Sequence, residues 1–425
     1  MTKKIKVLVF PCGAENAIEI HQALRHSVHV ELYGASSVDD HGRFAFERYF
    51  GDLPNIRDPR FDDVFATLID QLGIDVVFAT HDTVIEYLAA RTDRWNAYIV
   101  NGDAHSTALT RRKSLTYAHF ADTTWAPKVF ATPDEVTEWP AIVKPDLGQG
   151  AQGVTLVRSR EEAQLALDAV SEPVLVEYLP GEELTVDCFT DRRGRLLWTG
   201  PRTRERTRGG IAMRSRHIEP SPEIAGIAGE INARVRMRGP WFFQIKADAR
   251  GQWKLLEVSC RVAGTMVAQR AKGINLPLMA VQDYMERDLL TLPNPHVALV
   301  ERCIVTRARL DCEYDTVYVD LDETLIIDGF AVPQTMAFLY QSIAAGKKIV
   351  LLTRHRYDVG QTLASARIDI AIFDRIVVLR DDESKASYVT PGSIFIDNHF
   401  PERLAVAKAC AVPVLDVDAV DFLMR

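Results

Sequence analysis

Short apolar segments alternate with helical patterns in two separate stretches of this chain, and that alternation limits its fold more than any other feature. In the first stretch the predicted strands and helices cover residues 5–10, 14–24, 28–33, 61–72, 76–80 and 98–101. Because parallel strands are usually joined by a crossover helix, this order predicts βαβ units and a Rossmann-like, largely parallel sheet. A second alternation begins near Thr316 and predicts another compact α/β domain.

The middle of the chain follows a different pattern. From about Arg111 the predicted strands show two-residue alternation, and they cover residues 141–144, 174–177, 185–189, 242–246 and 254–258. This pattern predicts an α+β domain. Pro293 and Pro295 indicate a boundary, because a proline pushes the residue before it towards extended geometry. The predicted organisation is a βαβ domain at 1–108, a second domain at 109–292, a linker at 293–312 and a third domain at 313–425.

Composition excludes several classes of protein. A chain of 425 residues with 47% hydrophobic residues is too long for one ordinary core, so several globular domains are expected. The net charge of -8 argues against broad nucleic-acid binding. Six scattered cysteines lack zinc or disulfide spacing, and no apolar stretch approaches the ~20 residues that cross a bilayer. The turn at 11–16 lacks the three-glycine dinucleotide fingerprint. We therefore expect a soluble, cytoplasmic protein without a nicotinamide site.

A glycine-rich loop follows the predicted strand that ends in Lys144. The loop contains Gly148, Gly150, Gln152 and Gly153. Glycines let backbone N–H groups close around anionic oxygens, and a lysine adds a positive charge, so the segment suits a phosphate group. A plain surface turn has the same composition and remains an alternative.

Acidic residues follow the predicted strand at 174–177. The strand ends in Glu177, Tyr178 follows it, and Glu183 comes a few residues later. Such a segment can present backbone groups to a purine and a carboxylate to ribose hydroxyls. A strand followed by an acidic turn is the alternative.

Four arginines recur at every second position, namely Arg202, Arg204, Arg206 and Arg208. In an extended segment they would share one face and form a cationic strip for phosphate or carboxylate. A solvated basic loop is the alternative.

Gln244 and Glu257 lie on two strands that we expect to be neighbours, and Ser259 and Arg261 follow. Oxygen ligands from adjacent strands suit Mg²⁺ that bridges ATP phosphates, because this ion keeps few protein ligands and shares substrate oxygens. Arg261 could stabilise the phosphoryl group during transfer.

In this order the four features resemble the ATP-grasp superfamily over about residues 1–290, with a Gln-then-Glu pair similar to its carbamoyl phosphate synthetase branch. The resemblance implies a pre-ATP-grasp domain, an ATP-grasp clamp and the cofactors ATP and Mg²⁺. It implies that Lys113, Lys144 and the glycine-rich loop bind nucleotide phosphates, that Glu177 and Tyr178 flank adenine, that Glu183 holds ribose, and that Gln244, Glu257 and Ser259 bind magnesium. The family usually has asparagine at the position of Ser259, which leaves the metal geometry open.

Polar residues mark the ends of three predicted strands in the last domain. They are Asp320 and Asp322 after 316–319, Thr353 after 349–352, and Asp397 after 394–396, with Lys385 shortly before the last strand. Open α/β sheets place ligands at the carboxyl ends of their strands. Asp320 and Asp322 would point to the same side, so one could attack phosphorus while the other moves the proton. Each aspartate alone could be a helix cap, but the set predicts a phosphoryl-transfer site.

This set resembles the haloacid dehalogenase (HAD) superfamily over about residues 313–425. By that resemblance Asp320 is the nucleophile and Asp322 the general acid/base, Thr353 and Lys385 bind the phosphoryl group, and Asp320, Asp322 and Asp397 form a magnesium site. The segments between these motifs are too short for a large cap, which implies a capless HAD-like Rossmannoid domain.

The two resemblances predict a bifunctional enzyme, an ATP-dependent carboxylate-amine ligase joined to a Mg²⁺-dependent phosphatase. The expected partners are small-molecule carboxylates and amines, phosphorylated ones included, and a second copy of the chain in a homodimer. Nucleic acid and membranes are not expected partners. Two alternatives stay open, a nucleotide-sensing regulatory protein with phosphatase activity only and an ATP-grasp kinase.

Overall fold

The computed structural model describes residues 3–148 and 152–424. The chain divides into two compact units, Met1–Cys303 and Ile304–Arg425. The division falls inside the segment 293–312, and the first two predicted domains lie together in the first unit. A separate domain boundary near residue 108 stays a prediction. Within the described ranges, no helix is both long enough and apolar enough to cross a membrane.

The first unit begins with a five-stranded parallel sheet in the order β3-β2-β1-β4-β5. Its strands are β1 (Ile5–Phe10), β2 (Val30–Ala35), β3 (Tyr49–Phe50), β4 (Val76–Ala79) and β5 (Tyr98–Ile99). The helices of this region are α1 (Glu15–Leu24), α2 (Gly42–Ala45), α3 (Phe61–Leu72), α4 (Asp82–Ala89), α5 (Ala104–Arg111) and α6 (Lys113–His119). The predicted βαβ alternation is confirmed. The central strands are continuous apolar segments, as expected for strands that are buried on both faces of a parallel sheet.

Three antiparallel sheets complete the first unit, in the orders β6-β9-β7-β8, β11-β10-β14-β15 and β12-β13-β16. The strands are β6 (Val129–Phe130), β7 (Ala141–Pro145), β8 (Thr155–Val157), β9 (Pro173–Glu177), β10 (Glu183–Thr190), β11 (Leu196–Thr203), β12 (Arg206–Arg208), β13 (Ile211–Arg216), β14 (Gly239–Ala247), β15 (Trp253–Ser259) and β16 (Leu299–Glu301). The helices are α7 (Arg160–Ala169), α8 (Pro222–Arg234), α9 (Val267–Ala271) and α10 (Leu276–Tyr284).

One hydrophobic core joins the parallel sheet to the β11-β10-β14-β15 sheet. Phe10 and Phe65 belong to the same buried cluster as Trp241 and Phe243, and all four are at most 1% exposed. Truncating a buried aromatic residue typically costs about 3–5 kcal/mol, so this core holds the two sheets in a fixed arrangement. The carboxyl ends of the parallel strands and the end of β15 therefore share one cavity.

The second unit contains a five-stranded parallel sheet in the order β21-β20-β17-β22-β23. Its strands are β17 (Thr316–Val319), β20 (Lys348–Thr353), β21 (Arg375–Val378), β22 (Ser393–Ile396) and β23 (Val414–Leu415), with a small hairpin of β18 (Ile326–Ile327) and β19 (Phe330–Ala331). The helices are α11 (Pro333–Ala344), α12 (Val359–Ser365) and α13 (Phe400–Cys410). Between β17 and β20 the chain forms only that hairpin and α11, in agreement with the expected lack of a large insertion.

Candidate active site

A cavity of about 320 Å³ in the first unit collects much of the predicted nucleotide site. The predicted residues in its wall are Lys113, Gln152, Arg202, Arg204, Gln244, Glu257, Ser259 and Arg261. The loop after β1 and the start of α4 also contribute, through Asn16 and Asp82 among others. Residues far apart in the sequence thus surround one space of small-molecule size.

Gln244 and Glu257 face each other on neighbouring strands. The antiparallel register of β14 and β15 pairs them directly, with an irregularity immediately after Gln244. The Glu257 carboxylate accepts no hydrogen bond from the described residues. Burial and the charge of Asp82 raise the pKa of Glu257, while Lys113 and Arg261 oppose the shift. A carboxylate without donors beside an amide oxygen fits a hard divalent cation such as Mg²⁺.

Asp82 binds two predicted site residues, Ser259 at the end of β15 and Arg261 just after it. The Ser259 hydroxyl donates to one Asp82 oxygen at 2.7 Å, and Nη2 of Arg261 donates to the other at 2.8 Å. Burial opposes ionisation of Asp82, but the charge and hydrogen bond of Arg261, with the bond from Ser259, lower its pKa to about 2. The Ser259 oxygen keeps its acceptor capacity towards a metal or water.

The two predicted phosphate lysines are both enclosed. Lys113 lines the cavity and donates to the backbone oxygen of Asp146 at 3.2 Å. Lys144 lies behind the wall, is 7% exposed, and donates to the Tyr117 hydroxyl at 2.7 Å. Burial, with the nearby charge of Lys113, lowers the pKa of Lys144 to about 8. A lysine with so little water around it gains strongly from an anionic ligand.

The residues predicted for adenine and ribose do not line this cavity. Glu177 accepts a hydrogen bond from the backbone N–H of Lys128 at 2.7 Å, and Tyr178 is 39% exposed. Glu183 forms an ion pair with Arg204, whose side chain does reach the cavity.

The glycine-rich loop is described only in part. Gly148 and Gln152 line the cavity, and Gly153 has a φ of 71°, a left-handed conformation that favours glycine. Gly150 lies outside the described residues.

The predicted cationic strip on a single face is wrong. Arg202 is 1% exposed and paired with Asp187, with Nε and Oδ2 2.7 Å apart. Arg204 is mostly buried in the cavity wall, whereas Arg206 is exposed beside Glu301 and Arg208 is exposed. The strand is interrupted between Thr203 and Arg206, which ends the two-residue alternation that a common face requires.

In the second unit, one lysine joins two of the predicted carboxylates. Lys385 donates to Asp320 and to Asp397, at 2.6 Å in each case, and all three residues are at most 6% exposed. The register sets Val319 beside both Leu351 and Ile396, so Asp320, Thr353 and Asp397 lie at the same edge of the sheet. Burial raises the pKa of Asp320 to about 6 despite the charge of Lys385. Two buried carboxylates with one lysine leave a net negative charge that fits a divalent cation.

Asp322 lies apart from that buried group. Its carboxylate is largely exposed and contacts Nδ1 of His355 at 2.9 and 3.0 Å, and Nε2 of the same ring contacts the Thr362 hydroxyl at 2.7 Å. In the described ranges, no group of three His, Cys, Asp or Glu side chains is arranged to hold a metal ion. Asp322 therefore does not complete a three-carboxylate cluster with Asp320 and Asp397.

Sequence reasoning missed Asp82, Tyr117 and His355. Asp82 had a usable signal, because it follows β4 at the carboxyl end of a parallel strand. Tyr117 and His355 had none, since a tyrosine in a helix or a histidine after a strand is usually a packing or surface residue.

Two family models match the first unit. The model of the ATP-grasp domain matches residues 110–210, and the model described as ATP-grasp in the biosynthetic pathway with Ter operon matches residues 170–306. The D-alanine--D-alanine ligase of Fusobacterium nucleatum is 35% identical over 60 residues, which is 14% of this chain. The match spans only 21% of that ligase's length.

Solved structures share the fold of about two thirds of the chain. The L-amino acid ligase of Bacillus licheniformis matches 67% of this chain and 75% of its own, with a TM-score of 0.54 and 18% identity. The N5-carboxyaminoimidazole synthetase of Staphylococcus aureus with ADP matches 69% and 80%, with a TM-score of 0.57 and 14% identity. The biotin carboxylase domain of 2-oxoglutarate carboxylase from Hydrogenobacter thermophilus, solved with MgADP and bicarbonate, matches 68% and 71%, with a TM-score of 0.54 and 14% identity.

The family models and the solved structures together support the ATP-grasp superfamily for the first unit. Enzymes of this superfamily use ATP and Mg²⁺, and similar structures have been solved with ADP, ATP or MgADP. None of these matches supports the HAD resemblance of the second unit, which stays a prediction.

Proposed function

We propose that the first unit is an ATP- and Mg²⁺-dependent ligase that joins a carboxylate to an amine. The observation that carries this proposal is the cavity in which Glu257, which accepts no hydrogen bond from the described residues, lies with the cationic side chains of Lys113, Arg204 and Arg261. A triphosphate with its cation supplies what this wall lacks, namely positive charge for Glu257 and negative charge for the basic groups.

The proposed nucleotide contacts combine residues of the cavity wall with others that the resemblance to the ATP-grasp superfamily implies. Gln244, Glu257 and the oxygen of Ser259 would hold Mg²⁺, which neutralises charge on phosphate oxygens when it is bound. Lys113, Lys144 and the loop with Gly150, Gln152 and Gly153 would bind the phosphates. Glu177 and Tyr178 would flank adenine, and Glu183 would hold ribose.

The proposed reaction has two steps. A carboxylate oxygen of the substrate attacks the γ-phosphorus of ATP, and ADP leaves. The amine nitrogen then attacks the carbonyl carbon of the acylphosphate, and inorganic phosphate leaves as the amide bond forms. Arg261, which lines the cavity, would stabilise the phosphoryl group, and exclusion of water on substrate binding would limit hydrolysis of the intermediate. Two of the similar proteins are an L-amino acid ligase and a D-alanine--D-alanine ligase, which supports this reaction class.

A substrate screen that measures ADP and inorganic phosphate separately tests the ligase. ADP formation that requires both a carboxylate and an amine supports it. ADP formation with one substrate and a stable phosphorylated product would identify a kinase instead. Nucleotide binding without ADP formation, in a protein that hydrolyses phosphate esters, would identify a nucleotide sensor.

We propose that the second unit is a phosphatase of HAD type. The observation that carries this proposal is Lys385, which holds Asp320 and Asp397 together at the carboxyl ends of adjacent parallel strands. Asp320 would attack phosphorus, and Asp322 would give a proton to the leaving oxygen. Water would then hydrolyse the aspartyl-phosphate. Thr353 and Lys385 would bind the phosphoryl oxygens, and Asp320 with Asp397 would hold Mg²⁺, which adds positive charge at the phosphoryl group.

Hydrolysis of a generic aryl phosphate, with and without beryllium fluoride, tests the phosphatase. Beryllium fluoride mimics an aspartyl-phosphate and should inhibit by attachment to Asp320. If the amine substrate of the ligase is phosphorylated, the phosphatase would act on the ligase product. A dephosphorylated amide that appears only after ADP forms would support this coupling.

A further inference from the structure

Asp82 forms a link between two parts of the first unit that are distant in sequence. It is the first residue of α4, and its two carboxylate oxygens accept from Ser259 and Arg261, which are 177 and 179 residues away. Its side chain is 15% exposed. Both oxygens are thus directed at the end of β15 and the residues that follow it.

Capping of α4 does not explain this carboxylate. The side chain of His81 occupies the cap position and accepts the backbone N–H of Thr83 at 3.2 Å. An acid in the first turn is favourable for a helix, but that effect does not require both oxygens to be bound elsewhere. The contacts of Asp82 therefore serve the cavity side of the structure.

The contact fixes how Arg261 presents its guanidinium group. Nη2 is bound by Asp82, Nη1 donates to the backbone oxygen of Val262 at 3.2 Å, and the group lies 5.4 Å from the Phe242 ring centroid. The remaining nitrogen, Nε, is buried and has no hydrogen-bond partner in the described part of the chain. A guanidinium that donates from two of its nitrogens and packs against an aromatic ring is held in one orientation.

A second, uncharged side chain binds the same segment. Asn16 donates to the backbone oxygens of Thr80 and Val262, at 2.7 and 3.2 Å. Asn16 in the first turn of α1 and Asp82 at the start of α4 thus both bind the end of β15 and the residues after it, and Asp82 is the charged member of that pair of links.

We propose that Asp82 is a positioning residue of the ligase, which holds Arg261 and Ser259 in the arrangement that phosphoryl transfer requires. This inference rests on the proposed function of the first unit. Asp82 does not itself need to touch ATP or substrate, since both of its oxygens are already bound.

The central variant is Asp82→Asn, which keeps size and one acceptor oxygen but removes the charge. We expect kcat for ADP formation to fall about 10- to 100-fold, because a charge-assisted contact to Arg261 is lost. KM for ATP should stay within about threefold, because the phosphate lysines are untouched. Ser259→Ala should lower kcat only about three- to tenfold, since one hydrogen bond to Asp82 is lost while the ion pair with Arg261 remains.

Glu19→Gln is the matched control. Glu19 forms a buried bidentate pair with Arg270, at 2.7 and 2.9 Å, and joins α1 to α9 outside the cavity. A general loss of rigidity would lower kcat in both variants, whereas a positioning role lowers it only in Asp82→Asn. The double variant Asp82→Asn/Ser259→Ala should lose less activity than the product of the two single effects, because part of the serine's contribution passes through the Asp82 carboxylate.

A second readout does not depend on turnover. Phenylglyoxal modification of Arg261, followed by peptide mass spectrometry, should be about tenfold faster in Asp82→Asn than in wild type, because the guanidinium is released. Wild-type kcat in folded Asp82→Asn, or unchanged Arg261 reactivity, would overturn the positioning role. If the wild type forms no ADP with any substrate pair, the ligase proposal fails, and the modification rates still decide whether Asp82 holds Arg261.

Discussion

In the first unit the Glu257 carboxylate lines a cavity and accepts no hydrogen bond from the described residues, whereas in the second unit Asp320 and Asp397 both accept hydrogen bonds from the ammonium group of Lys385. A buried carboxylate costs several kcal/mol of desolvation unless it is paired. At the first site a bound cation would offset this desolvation cost, whereas at the second site Lys385 already offsets part of it. We infer that the first site depends more on its ligand for its final geometry.

The origin of the side chains differs as well. Asp320, Thr353 and Asp397 come from the ends of adjacent parallel strands, so the sheet itself brings them together. Lys113, Asp82 and Glu257 come from two helices and an antiparallel strand, and only the packing of two sheets brings them to one cavity. Variants that affect one site and spare the other therefore test whether the two chemistries are separate.

The largest effect is expected for Asp320→Asn. This change keeps the shape but removes the anionic nucleophile, so hydrolysis of an aryl phosphate should fall about 10⁴-fold or more. ADP formation by the first unit should continue at the wild-type rate. Near-normal phosphatase activity in the variant would mean that the second unit is a structural or binding domain.

Glu257→Ala should abolish most ATP turnover, by about 10³-fold, because a carboxylate is lost from the proposed Mg²⁺ site. The melting temperature of the ligand-free protein should stay equal or rise, since the change removes a partly buried carboxylate that accepts no hydrogen bond from the described residues. Aryl phosphate hydrolysis serves as the control and should not change. Undiminished ADP formation in the folded variant would remove Glu257 from the metal site.

The pH dependence of nucleotide binding should depend on Lys144. Burial lowers the pKa of Lys144 to about 8, so its positive charge is present below that pH and is lost as the pH rises through it. KM for ATP should therefore increase up to about tenfold between pH 7 and pH 9. Lys144→Arg keeps its charge throughout and should flatten the profile, provided that circular dichroism shows a folded protein. Equal profiles would exclude Lys144 as the titrating group.

The smallest effect concerns the short strand β12 beside the cavity. Arg206 and Arg208 are exposed, and the neighbouring Gly209 and Gly210 line the cavity. ATP with Mg²⁺ should slow tryptic cleavage at these arginines severalfold if bound nucleotide orders the segment. Cleavage after Arg309 of the second unit, which is exposed and lies outside any helix or strand, provides the internal control. Equal cleavage rates with and without ligand would show that β12 does not respond to nucleotide.

The sequence by itself determined the regular elements and the carboxyl-end groups of the second unit. The predicted helix at 61–72 is α3, and the predicted strand at 316–319 is β17. Apolar periodicity succeeds in such cases because it reports burial of the element itself. Asp320 and Asp397 could be placed at one edge because parallel strands align their ends.

Only the tertiary structure decided which charged side chains form ion pairs with each other. Alternation placed Arg202 and Arg206 on one face, yet Arg202 is buried against Asp187 and Arg206 is exposed beside Glu301. Asp82 and Arg261 have no local pattern that links them, although their side chains are 2.8 Å apart. The partner of a charged side chain depends on how distant sheets pack, and that packing is fixed by the shared hydrophobic core rather than by the residues next to the charge.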